Sequence, residues 1–296
     1  MSAQTAPPTE ETKDQPALKP SAEETGAGWG PRITLLVMCL LFTLPTFGLF
    51  ISSFRADETL LRRTGWWTAF GEQFSLDNYT TVLQAGMGDS FINSLTVAVP
   101  ATIIPIMAAA FAAYAFAWMD FKGREFFFIL FVGLLVVPLQ VAFIPLTSLF
   151  NTVGITNDFL KLWLAHTGFG MPLAVYILRN YIGSLPREVI ESAKVDGASH
   201  FETFWRLILP LSVPALAAFA IFQFLWTWND FLVALVFMTG GQEVVTVTLY
   251  ELIGSRGQDW HLLTAGAFIS MIVPLIVFFG LQRFFVRGLT AGSVKG

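Results

Sequence analysis

The stretch ITLLVMCLLFTLPTFGLFISSF, residues 33–54, carries no charged side chain between Arg32 and Arg55. As a helix these 22 residues reach about 33 Å, enough to cross the hydrocarbon core of a bilayer once. Working outward, the same charge-free test returns residues 90–119 and 126–150, on either side of the short charged hairpin 120–125. Residues 159–181 follow, with Lys161 near their start and His166 and Pro172 inside, and then residues 211–238 and 260–282. The expectation is an all-α integral membrane fold of six transmembrane helices over residues 31–296. Composition agrees, because 54% hydrophobic against 13% charged residues, with 30 Phe and 9 Trp, would leave a water-soluble globule covered in apolar patches. Soluble enzyme folds are thereby largely excluded. A net charge of −4 leaves no basic stripe for nucleic acid, so membrane lipid and no nucleic acid are expected as partners. Cys39, alone, can form neither an internal disulfide nor a Cys-rich metal site.

Residues 1–30 are rich in Pro, Ala, Thr and Glu and lack apolar periodicity, so they predict a disordered tail. With five acids against two lysines before a late apolar run, this tail does not read as a secretory signal. Six crossings put both termini on one side. Lys and Arg number twelve on the segments facing inward if that side is the cytoplasm, against five outside, which predicts cytoplasmic termini in a bacterial or archaeal inner membrane. Trp66, Trp67, Phe70 and Phe74 in the outer loop 55–89 read as an interfacial aromatic belt. Pro100, Pro105, Pro138, Pro145, Pro172, Pro210, Pro214 and Pro274 fall in or beside the spans, where a missing N–H permits kinks.

Residues 186–210, PREVIESAKVDGASHFETFWRLILP, interrupt the apolar pattern. Seven of the twenty side chains from Arg187 to Arg206 are charged, so the segment lies outside the hydrocarbon. Pro186 suits a first helical turn, Glu188 and Glu191 suit a helix N-terminal end, and Gly197 suits the position just past a helix end. Ser199 and Glu202 form a capping-box pair, and Phe201, Phe204, Trp205 and Ile208 recur at helical spacing. The first helix, about eleven residues, is too short to be stable alone in water and needs a surface to pack on. The residues by themselves leave open whether that surface is the chain's own bundle or another polypeptide.

Glu191-Ser192-Ala193, then Gly197, then Leu207 and Leu209-Pro210 stand at the spacing E-A-A-x3-G-x9-I-x-L-P. This resembles the cytoplasmic EAA loop of permease subunits of ATP-binding-cassette (ABC) importers, with Ser192 at the second position and Leu207 in place of Ile. Trp228-Asn229-Asp230-Phe231 and the ending Phe285 to Gly296 narrow the likeness to the carbohydrate, maltose-type permeases, in particular the smaller of the two subunits, over about residues 32–296. The resemblance implies that the EAA loop 186–210 is a coupling element docking in a groove of a cytoplasmic ATPase. It assigns that contact to Glu188, Glu191, Ser192, Ala193, Asp196, Gly197, Ala198, Phe201, Leu209 and Pro210. It implies, as partners, a second homologous permease subunit forming a heterodimer, two cytoplasmic ATPase subunits and an extracytoplasmic sugar-binding protein. It also brings the tail residues Ser293, Val294, Lys295 and Gly296 against the ATPases. The solute it implies is an oligosaccharide or α-glucoside such as maltose or trehalose. Another solute, a polyol or glycerol phosphate, is the alternative.

No G-x-x-x-x-G-K-[ST] occurs, so the chain offers no phosphate cradle and is read as a permease without ATPase chemistry. No cofactor is expected on this chain, with ATP and Mg on the partner ATPases. There is no His-Glu-x-x-His, and His166, His200 and His261 are far apart in sequence, so no metal site and no catalytic residue are assigned. Trp228, Asn229 and Asp230 are candidates for the translocation path, because an ionised carboxylate at membrane depth is costly unless it meets a wet cavity or a partner. A structural hydrogen bond between helices is the competing role. A secondary transporter would call for paired intramembrane charges, and Asp230 is one candidate without a partner in the sequence pattern.

Overall fold

The computed structural model describes residues 28–55, 65–69, 74–253 and 260–291, with side chains as far as residue 282. Residues 1–27, Arg62, Arg63 and Phe70 of the outer loop, and Ser293, Val294, Lys295 and Gly296 lie outside the described residues. The chain divides into two units, residues 1–48 and 49–296. Among the described residues the structure is helical, with a single isolated antiparallel bridge between Arg55 and Phe74.

Helix α1, Trp29–Ser53, contains Pro45 without ending there. In the first unit its apolar side chains, Leu35, Leu36, Leu40 and Phe42 among them, are exposed, the condition of a helix whose solvent is lipid rather than water. In the second unit Asp77–Val82 (α2) runs through a π turn, Leu83–Met87, into Gly88–Trp118 (α3), with Gly86 at φ +99° in the turn. Arg124–Gly133 (α4) and Leu139–Val153 (α5) are bent 107° apart. Asp158–Gly183 (α6) follows. Arg187–Val195 (α7) and His200–Thr203 (α8) form the charged interval, continued by a π turn, Phe204–Ile208, and the short turn Leu209–Leu211 (α9). The remaining helices are Val213–Trp228 (α10), Leu232–Phe237 (α11), Val245–Leu252 (α12) and Trp260–Ala291 (α13).

By length and apolarity three helices can cross a bilayer, Trp29–Ser53, Asp77–Trp118 and Trp260–Gln282, and two bent pairs raise this to five. Helix α6 has 26 residues, about 39 Å of helix. Asp158, Lys161, His166 and Arg179 carry it below the apolarity of those elements.

Two expected spans are broken rather than continuous. In the stretch 126–150 the break falls at Val137, whose ψ of 119° is the extended conformation that a following proline imposes, and at Pro138, which has no N–H for the helix ladder. The stretch 211–238 is bent 71° where α10 begins beyond Ser212, and interrupted again at Asn229–Phe231 before α11. Pro100, Pro105, Pro145, Pro172 and Pro274 sit inside helices that continue past them.

The main core joins α3 and α6. Ala109, Ala110, Ala113 and Ala174 are fully buried there, and such small side chains let helix backbones approach closely where lipid supplies no hydrophobic drive. Trp118 Nε1 donates to the Ile182 carbonyl at 3.0 Å, tying the ends of the two helices together. At the other end of α6 the Asp158 carboxylate accepts from the backbone N–H groups of Thr239 and Gly240 at 2.9 and 2.8 Å and from Lys161 Nζ at 2.8 Å. The loop after α11 is thus held to the start of α6 by charge-assisted bonds.

Candidate functional site

Two places carry the candidate residues, the charged interval 186–210 and the helix break at 228–231. In the first, α7 is amphipathic: it buries Ile190 in the α3–α6 core and also buries Ala193, while Glu188, Glu191, Ser192 and Asp196 remain exposed. The helix ends in a double-bonded reversal: Gly197 N–H donates to the Lys194 carbonyl at 3.1 Å and Ala198 N–H to the Ala193 carbonyl at 3.0 Å. Gly197 has φ +76°, a conformation glycine adopts at no steric cost. A capping box opens the next helix: Ser199 Oγ accepts from Glu202 N–H at 3.3 Å, and Ser199 N–H donates to Glu202 Oε2 at 3.1 Å. The Ser199 backbone and side-chain bonds, then the Arg206 charge, hold the Glu202 carboxyl below the usual carboxylate range.

Between α7 and α8 lies a groove of about 460 Å³ whose lining includes Ser192, Ala193, Asp196, Gly197, Ala198 and Glu202. Glu188, Glu191, Phe201, Leu209 and Pro210 stand outside that lining. Glu191 and Phe201 are exposed, and Phe201 and Val195 expose 67% and 87% of their surface although both are large and apolar. The groove thus opens between the acidic Asp196 and Glu202, the basic Arg206 and apolar side chains.

Side chains that sequence reasoning did not single out as a site fasten this interval to α3. Tyr114 Oη lies 2.9 Å from His200 Nδ1, and Phe204 stacks on Phe111 at 4.3 Å with the rings 24° apart. Tyr114 and His200 are 86 positions apart, and no local pattern marks them as partners.

At the second place, Trp228, Asn229 and Asp230 do not face one common space. Trp228 is buried, donates Nε1–H to the Ser270 carbonyl at 3.1 Å and stacks on Phe224. Asn229 is exposed and turns its amide back to the Leu225 carbonyl at 2.7 Å. Asp230 caps α11, accepting from Val233 N–H at 3.4 Å and Ala234 N–H at 3.1 Å, and its Oδ2 is 3.7 Å from His166 Nε2. Its backbone carbonyl accepts from the Thr246 hydroxyl at 2.6 Å, stapling the break to α12. Trp228, Asp230 and His166 share a cavity of about 10 Å³, room for about one water molecule. A cleft of about 390 Å³ lies alongside, lined by the broken turn at Pro138 and by Phe169, Gly170, Phe222, Gln223 and Trp226. Among the described residues no three metal-ligating side chains gather to hold an ion.

The model of a family described as "Binding-protein-dependent transport system inner membrane component" matches residues 101–291. The "Osmoprotective compounds uptake permease protein GgtD" of Synechocystis sp. is 60% identical over 271 residues, covering 89% of this chain and 91% of that one. The "Alpha-glucoside transport system permease protein AglG" of Rhizobium meliloti is 62% identical over 232 residues, 76% of this chain and 61% of that one. A chain from the crystal structure of a bacterial ABC transporter involved in the import of the acidic polysaccharide alginate has a TM-score of 0.64 at 16% identity, covering 88% of this chain and 96% of that one. That last likeness is one of fold.

Proposed function

We propose, since this chain belongs to the family of binding-protein-dependent transport system inner membrane components, that it is the membrane-spanning permease subunit of an ATP-driven sugar importer. The observation that carries this reading is the cluster of Schellman turn, capping box and exposed groove between α7 and α8. Two ATPases closing on ATP and Mg can do work on a membrane bundle only if a rigid element changes its contact free energy between the two states. Two short helices, α7 closed by the Gly197 reversal and α8 opened by the Ser199–Glu202 capping box, with Glu188, Glu191, Ser192, Ala193, Asp196, Gly197, Ala198 and Phe201 on or beside the groove, supply such an element. Leu209 and Pro210 join it to α10, and the tail Ser293 to Gly296 is assigned to the same ATPase contact.

In this reading the six crossings are α1, α2–α3, the bent pair α4–α5, α6, α10–α11 and α13, with both termini cytoplasmic. A second homologous permease completes the path, and an extracytoplasmic binding protein delivers the solute. The chain itself performs no bond chemistry. An α-glucoside such as maltose or trehalose is the solute favoured by the likeness to the Rhizobium permease. The likeness to the Synechocystis permease favours a second solute, an osmoprotective compound. Cells lacking this chain should lose accumulation of labelled maltose or trehalose and regain it on complementation. Undiminished uptake of both, and of the cell's osmoprotectants, would remove the importer reading.

A further inference from the structure

We infer that Tyr114 and His200 form a strut that couples the helix-glycine-helix interval to helix α3, so that the interval moves the α3–α6 body directly rather than through its covalent link to α10. This rests on the importer reading, and concerns which part of the bundle receives the stroke.

The covalent route is a poor lever. Beyond the π turn at Phe204–Ile208, whose Phe204 and Ile208 belong to the buried cluster themselves, the chain bends by 71° before α10, so no straight helix carries the interval into α10. The lateral route is stiff. Tyr114 Oη meets His200 Nδ1 at 2.9 Å, the imidazole tautomer deciding which atom donates. Around that bond Phe204, fully buried, stacks on Phe111 at 4.3 Å and lies 5.7 Å from the Tyr114 ring, while Trp205 meets Phe111 edge-on at 5.8 Å. Offset and edge-on aromatic pairs resist sliding as well as separation. Ile190 of α7 belongs to the same buried cluster as Tyr114, Phe204 and Ile182, so both halves of the interval rest on one body. That body extends to α6 through the Trp118 to Ile182 bond. The aromatic packing fixes position, and the Tyr114–His200 bond adds a directional stop against rotation of α8 about its contact.

Tyr114→Phe keeps the ring and removes only the hydroxyl. His200→Ala removes the partner, and His200→Asn restores a polar atom at about the position of Nδ1. The full complex, reconstituted in liposomes, is assayed for sugar molecules imported per ATP hydrolysed, with thermal melting as the control for folding. The expected result is a loss in that ratio of about three-fold for Y114F and for H200A, the size that a single interhelical hydrogen bond carries in a membrane protein. The double variant should be no worse than either single one, and H200N should recover most of the loss. A wild-type ratio in Y114F, or losses that multiply in the double variant, overturns the strut. Failure of the wild-type complex to import sugar at the expense of ATP would instead overturn the importer reading beneath it.

Discussion

Gly170 of α6 and Gln223 of α10 meet so closely that a Cβ at Gly170 would stand 2.6 Å from Gln223 Oε1. Gln223 is fully buried and donates Nε2–H to the Ala101 carbonyl at 3.2 Å, so one amide touches three helices at membrane depth. Non-helical backbone at Pro138 borders the cleft beside it, which such depth tolerates only against protein or a wet cavity.

Gly170→Ala is therefore expected to destabilise the chain by about 1–3 kcal/mol, the usual cost of overpacking. Melting of the purified complex in detergent measures it. The same substitution in a Gln223→Ala background should cost far less, because the colliding amide is gone, and equal losses in both backgrounds would place the strain elsewhere.

Gly197→Val is expected to abolish transport while membrane insertion stays intact. A β-branched residue held at φ +76° costs about 1–2 kcal/mol, and a turn that rearranges to relieve this strain breaks the bonds to the Lys194 and Ala193 carbonyls. Uptake in cells, scored beside the amount of protein in the membrane fraction, checks this. Normal uptake would take the turn out of the mechanism.

Asp230 stands one position ahead of the N-cap residue Phe231, and its two carboxylate oxygens accept from Val233 N–H and Ala234 N–H, of which the single amide oxygen of Asn can keep one and Ala neither. Asp230→Ala should lower stability by about 1 kcal/mol, and Asp230→Asn, which keeps one of the two bonds, should lower it by less in a melting experiment. Should Asp230→Asn keep most of the parent's stability and still alter the transport rate, the carboxylate serves the path as well as the cap.

Glu243 gives a pH test. Burial, and then the Glu251 carboxylate, raise its carboxyl above the usual carboxylate range. A raised acid means that the folded state holds the proton more tightly than the unfolded chain does. Its contribution to stability is thus present below the unfolded value and is lost as pH rises through the folded value. Glu243→Gln, which still accepts the Thr248 hydroxyl bond seen at 3.3 Å, should melt above the parent at neutral to alkaline pH. The gap should close on acidification to about pH 4, near the ordinary carboxylate value. A gap that is constant across this range would assign the effect to packing.

Much of the fold is legible in short windows of sequence. Charge-free runs of twenty or more residues mark membrane-length helices because the cost of a charge in hydrocarbon acts on each residue separately. Gly197, Ser199 and Glu202 mark a reversal and a cap because their bonds close within a few positions. Helix breaks are less legible: Pro138 ends a helix whereas Pro100, Pro105 and Pro172 do not. The missing N–H is common to all four, and the difference lies in what packs around each.

The amino-acid order alone decided that this chain lives in lipid, where its polar interval falls, and how that interval caps its own helices, since these follow from solvation and bonds of short sequence reach. Only the tertiary structure decided that Tyr114 meets His200, that Gly170 makes room for Gln223, and that Trp228 and Asp230 close around a space for one water while the larger cleft opens beside them. The reason is physical. Which turn of one helix faces which turn of another, across as many as 158 residues between Ser90 and Thr248, is set by the simultaneous packing of every side chain between them, and no periodicity within either helix encodes it.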